Sequence, residues 1–189
     1  MTNDKNILNR VFLLFIPVAF ASYLFHEFGH WSVGELLGNN MVYNLNLVYP
    51  KSRHYIDTGH DLFISIGDLA YTIILALLFL LVIEKYKTLY AYLFVIFQLV
   101  MRAFSLGFGG FSRQDEARIS SLLHIGDYTF AIIVLLILFL FVLRASYKLK
   151  IDLKSNGYFV TASIVSQLIV IATYELAGIK YRQYPRYLP

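Results

Sequence analysis

The chain has 189 residues, of which 58% are hydrophobic and 15% charged, with a formal net charge of +4. A soluble domain carries about a quarter charged residues, so this composition excludes one, and no basic run interleaved with aromatics points to a nucleic-acid partner. There is no cysteine, which excludes disulfides and thiolate metal sites and leaves histidine and carboxylate as the ligands for any zinc.

Five stretches reach the roughly 20 apolar residues that cross a bilayer, near 11–37, 62–83, 89–108, 128–146 and 158–177. They predict an all-α polytopic membrane protein, one domain over 1–189, whose 15 Tyr and 16 Phe suit lipid-facing surface and interfacial belts. The head of the first stretch, with Lys5, Arg10 and Ala19-Phe20-Ala21, has the outline of a cleavable leader. Its apolar character runs on past Phe28, and cleavage there would cut the helix in two, so it reads as a span. It ends near Gly38-Asn39-Asn40, a helix stop.

Residues 43–49 (Tyr-Asn-Leu-Asn-Leu-Val-Tyr) largely alternate apolar and polar, the period of a strand, and Pro50 with the polar run 51–61 makes a turn or loop. The second span carries Gly67-Asp68 early, and Glu84-Lys85-Tyr86-Lys87 is a tight polar turn. The third ends in the glycine-rich 107–111, read as flexible, and 114–119 has the composition to open a short helix. The fourth is the most apolar, 144–154 reads as a basic loop, and a basic, Tyr-rich tail follows the fifth. Outside the spans the basic residues divide eight to seven between the two membrane faces, so the positive-inside rule leaves orientation open. Nothing in the sequence sets an oligomeric state.

The densest chemistry lies inside the first span, at His26-Glu27-Phe28-Gly29-His30. Residues four apart share a helix face, so His26 and His30 can address one cation while Glu27, about 100° round, reaches a water on it. This is the H-E-x-x-H arrangement of zinc hydrolases, a pattern this composition yields by chance about once in 300 such chains. The plain alternative, two histidines hydrogen-bonded between helices, is weakened by the cost of unpaired polar groups in lipid.

Zinc needs a third protein ligand. Asp115, Glu116, Asp68, His124, His54, His60 and Glu35 all fall on the same face of the membrane. Glu35 is about 140° off the histidine face and reads as an interfacial or inter-helix carboxylate. His54 and His60 read as solvated loop residues. Asp68 is costly in its span and pairs alternatively with Arg102, for which Glu175 is another partner. Composition alone does not choose between Asp115 and Asp68.

In the order of its motifs, roughly 10–125 resembles the site-2 protease family of intramembrane zinc metalloproteases, with 126–189 as additional helices. His26-Glu27-Phe28-Gly29-His30 followed by Glu35-Leu36-Leu37-Gly38 is similar to that family's zinc helix, and 43–49 to its membrane-associated β segment. Ile66-Gly67-Asp68-Leu69-Ala70 resembles its Gly-Pro-Leu-Ala motif, with Asp68 where proline is expected. Gln114-Asp115-Glu116-Ala117-Arg118-Ile119 resembles its Leu-Asp-Gly motif, with Glu116 where glycine is expected.

The resemblance implies zinc held by His26, His30 and Asp115, with Glu27 as the catalytic base. It implies a transmembrane protein or peptide as substrate, locally unwound before cutting, and a multi-pass location in the lipid bilayer, expected to be a prokaryotic plasma membrane. The β segment would pair with an extended substrate by its edge, or, more plainly, form a small hairpin plugging the bundle. A proteolytically inactive relative that binds or regulates a membrane partner is the alternative function. A metal or proton transporter ranks last, because the fourth span offers almost no polar residue.

Overall fold

A computed structural model describes residues 5–44 and 47–176 of the chain. Helix α1 (Lys5–Leu36) leads into an antiparallel pair, β1 (Met41–Asn44) and β2 (Leu47–Pro50). Then come α2 (His60–Tyr86), α3 (Leu89–Phe108), a 3₁₀ turn at Phe111–Arg113, α4 (Asp115–Leu122), α5 (Thr129–Leu149) and α6 (Leu153–Leu176). Five of the helices are long and apolar enough to cross a membrane, and the chain is a multi-pass membrane protein.

Helix α3 is the central post. It is the most deeply buried of the five spans, and Tyr92, Phe97 and Ile96 on it are fully or almost fully enclosed. Phe15 of α1 and Phe159 of α6 close the same core, their ring centroids 6.2 Å apart, and Phe79 of α2 stacks on Phe94 at 4.0 Å. A second cluster joins α2, α4 and α5 through Leu69, Ile119, Val134 and Leu138, which ties the short α4 to the spans. Large apolar side chains such as Leu78, Leu81, Ile132, Leu136 and Leu140 point outward. In water such a surface would aggregate; in lipid it is the solvent-matched face.

Polar contacts pin the bundle where apolar packing alone sets no register. Gln98 donates from Nε2 to Ser22 Oγ over 2.8 Å between α3 and α1. Tyr92 meets Ser146 Oγ at 2.8 Å and also the Asn156 side chain, joining α3, α5 and α6. On the face of the amino terminus, Glu84 binds Arg144 (2.6 Å) and Lys148 (2.7 Å).

Two expectations need correction. Residues 43–49 are not one strand but parts of two, in the register Met41↔Pro50 to Asn44↔Leu47, and Pro50 closes β2 rather than opening the loop. The basic loop at 144–154 shrinks to a short connection, because α5 runs to Leu149 and α6 begins at Leu153, five residues before the expected 158. The Asp152 carboxylate accepts from the Ser155 N–H at 2.7 Å, so polar residues form the first turn of the helix. The glycine-rich 107–111 joins the end of α3 at Phe108 to the 3₁₀ turn at Phe111, with Gly109 and Gly110 in neither element. The tail beyond 176 lies outside the described residues.

Candidate metal centre

The inner ends of four helices meet on the face of the membrane opposite the amino terminus. Helix α1 brings His26, Glu27 and His30, α2 brings Asp68 and Thr72, α3 brings Arg102, and α4 opens with Asp115 and Glu116. The meeting depends on a glycine crossing. A Cβ on Gly29 would stand 2.8 Å from the Asp68 Cα and 3.0 Å from the Gly67 carbonyl oxygen; one on Gly67 would meet Val33 at 2.5 Å. Backbone therefore lies on backbone where α1 crosses α2, and Asp68 is carried to the histidine face.

The imidazoles of His26 and His30 are neighbours, ring centroids 5.4 Å apart and steeply inclined. Ligand atoms of His26, His30, Asp68 and Asp115 all lie within 4.8 Å of one another. His30 Nδ1 is 3.2 Å from the Ile64 carbonyl oxygen. A carbonyl only accepts, so the proton sits on Nδ1 and the lone pair of Nε2 is free for a cation. That Nε2 is 3.5 Å from Asp115 Oδ2 and 3.9 Å from Asp68 Oδ2. Two ligands of tetrahedral zinc, each about 2.1 Å from the metal, stand roughly 3.4 Å apart. The residues present fit zinc, and Asp115 fits better than Asp68.

The two aspartates are held differently. Asp115 Oδ2 faces His30 while Oδ1 lies 3.4 Å from Arg118 Nη1, which also reaches Asp61 (3.4 Å) and Ser65 (3.3 Å). Burial acts to raise the Asp115 carboxyl, but without a cation, when His30 carries a proton on both ring nitrogens, its charge and hydrogen bond and the charge of Arg118 outweigh burial, and the group is held well below the usual carboxylate range. Asp68 is fully buried and faces inward. Both of its oxygens accept from Arg102 Nη2, at 2.8 and 2.7 Å, and its Oδ1 also contacts His26 Nδ1. The pairing of Asp68 with Arg102 weighed from sequence is present; the Glu175 side chain lies outside the described residues. Arg102 further meets His26 Nδ1 (2.9 Å), Thr72 Oγ1 (3.3 Å) and Glu116 Oε1 (3.6 Å). The buried carboxylates of Asp68 and Glu116 are thus bridged by one guanidinium. Together Asp61, Asp68, Asp115 and Glu116 outnumber Arg102 and Arg118, and a divalent cation would offset the excess negative charge.

The cluster is unevenly exposed. The side chains of His26, His30 and Asp115 are 15%, 14% and 14% exposed, whereas that of Asp68 is sealed. The hairpin folds back against this end of α1: Glu35 Oε1 accepts from the Met41 N–H at 2.5 Å, and Tyr43 OH donates to the Leu24 carbonyl at 2.8 Å. Burial, and then the Glu27 carboxylate, push the Tyr43 phenol above its ordinary value.

The remaining sequence candidates are elsewhere. Glu35 anchors the hairpin. His54 and His124 are exposed, and His60 is not a freely solvated loop residue but the first residue of α2, with Nδ1 3.0 Å from Asn39 Nδ2. The Gly29–Gly67 crossing and the Ile64 carbonyl were not read from sequence. Glycines sit at both crossing positions, but a glycine in a span has many explanations, and no side-chain pattern marks a backbone carbonyl. No protein-family model, curated protein or solved structure matches the chain.

Proposed function

We propose that the chain is a zinc-dependent intramembrane endopeptidase of the site-2 protease type, in the plasma membrane of a prokaryote, acting on transmembrane protein or peptide substrates. The observation that carries the reading is the convergence of His26, His30 and Asp115, their ligand atoms within 4.8 Å of one another and His30 and Asp115 at 3.5 Å, inside a membrane bundle, with Glu27 in the same helical turn. When bound, zinc would polarise the scissile carbonyl and acidify a water. Glu27 is the group to take a proton from that water and deliver it to the leaving amine. Arg118 and Ile64 hold Asp115 and His30 in orientation. Both strands of the two-stranded sheet have an edge without a strand partner among the described residues, so an extended substrate segment can add to it beside Glu27.

The test is cleavage of a transmembrane peptide by protein reconstituted in liposomes. Glu27→Gln should abolish cutting and leave zinc content unchanged; undiminished cutting by that variant contradicts the catalytic assignment. A second reading, a proteolytically silent module that binds or regulates a membrane partner, is favoured by one observation: a guanidinium lies against two of the candidate ligands. It predicts metal binding without cleavage in the wild type.

A further inference from the structure

The two positions at which the chain departs from the pattern it resembles, Asp68 and Glu116, lie on different helices, and Arg102 touches both. Arg102 Nη2 occupies both Asp68 oxygens, and Nη1 faces Glu116, neither of whose oxygens has a hydrogen-bond partner. Thr72 Oγ1 steadies the guanidinium from α2. The side chain is only 3% exposed, so the cation is built in and does not exchange with solvent. Without it Asp68, already within ligand distance of His26, His30 and Asp115, would be a fourth donor, and four protein donors make a closed, structural zinc site.

We propose that Arg102 is a positioning residue that keeps both oxygens of Asp68 on its own guanidinium and off the metal, so that the centre keeps three protein ligands and one open position. The inference rests on the metal reading of the site. Glu116 balances the second face of the guanidinium and keeps it from being drawn wholly to one side. The departures are thus two halves of one device.

The experiment uses the full chain in detergent, loaded with Co2+, whose visible absorption reports coordination, with azide as a probe of an open position. Wild type should bind cobalt with a spectrum that azide shifts. Arg102→Met should bind cobalt about tenfold more tightly, a change of the size outer-shell groups exert, and lose the azide shift. Asp68→Asn/Arg102→Met, which removes both charges, should regain it, and Arg102→Lys should keep it. Asp68→Asn alone should retain cobalt and the azide response. The proposal is overturned if Arg102→Met still responds to azide, or if Asp68→Asn loses cobalt while Asp115→Asn retains it. Should Arg102→Met fail to fold, Arg102→Gln is read in its place, and the proposal is overturned if that variant still responds to azide. A wild type that takes up no cobalt fails at the earlier step and removes the metal reading itself.

Discussion

Gly29→Ala is the smallest change that tests the crossing on which the site is built. The added Cβ would sit 2.8 Å from the Asp68 Cα, whereas ordinary contact begins near 3.4 Å, so α1 and α2 must part by about 0.6 Å at this point. The obstacles are backbone atoms, which cannot rotate away. Overpacking of this kind costs about 1–3 kcal/mol, and the better helix propensity of alanine returns up to about 1 kcal/mol. A net loss of about 1–2 kcal/mol should follow, with Asp68 moved away from His26 and His30 and zinc affinity weakened about tenfold or more. Gly157→Ala is the control, since a Cβ there meets nothing within 4 Å on the exposed side of α6; it should stabilise by about 0.5–1 kcal/mol. Thermal unfolding in detergent and zinc competition against a chelator read both quantities. A Gly29→Ala protein as stable as wild type, with unaltered zinc affinity, would refute the close approach.

Other consequences follow from the same geometry. Zinc should be lost from Asp115→Ala and retained, with weakened affinity, by Asp68→Ala; metal analysis of the purified variants decides. The Asp115 carboxyl is held below its unfolded value, so its contribution is present above about pH 4 and disappears as pH falls through that region towards its folded value. Denaturation of the metal-free protein should accordingly ease on acidification, and Asp115→Asn should flatten that dependence. Tyr92→Phe removes a hydroxyl shared with Ser146 and Asn156 and should cost about 1 kcal/mol without changing zinc content.

The spans were legible because each is a long apolar run, a signal that composition alone carries. The shared face of His26 and His30 was legible because helical periodicity fixes it. The ends of elements were harder. Asn156-Gly157 looks like loop, but the Asp152 cap to Ser155 turns those residues into helix. Leu45-Asn46 lacks the glycine that usually marks a hairpin turn, so 43–49 reads as one strand until the pairing is seen. In the site, the rivalry between Asp68 and Asp115 was open in the sequence because both belong there. One is partly exposed and faces His30, the other is buried on the guanidinium, and only the packing of α2 against α3 distinguishes them. That Glu116 also faces Arg102 is a fact of where α4 docks, which no local pattern encodes.

The central claim is that a divalent metal is held in the bundle by His26, His30 and Asp115, and metal analysis of the purified protein tests it directly. One zinc per wild-type chain is expected, lost in His26→Ala, in His30→Ala and in Asp115→Ala. Wild-type protein free of metal after zinc supplementation, or variants that retain the full complement, would contradict it.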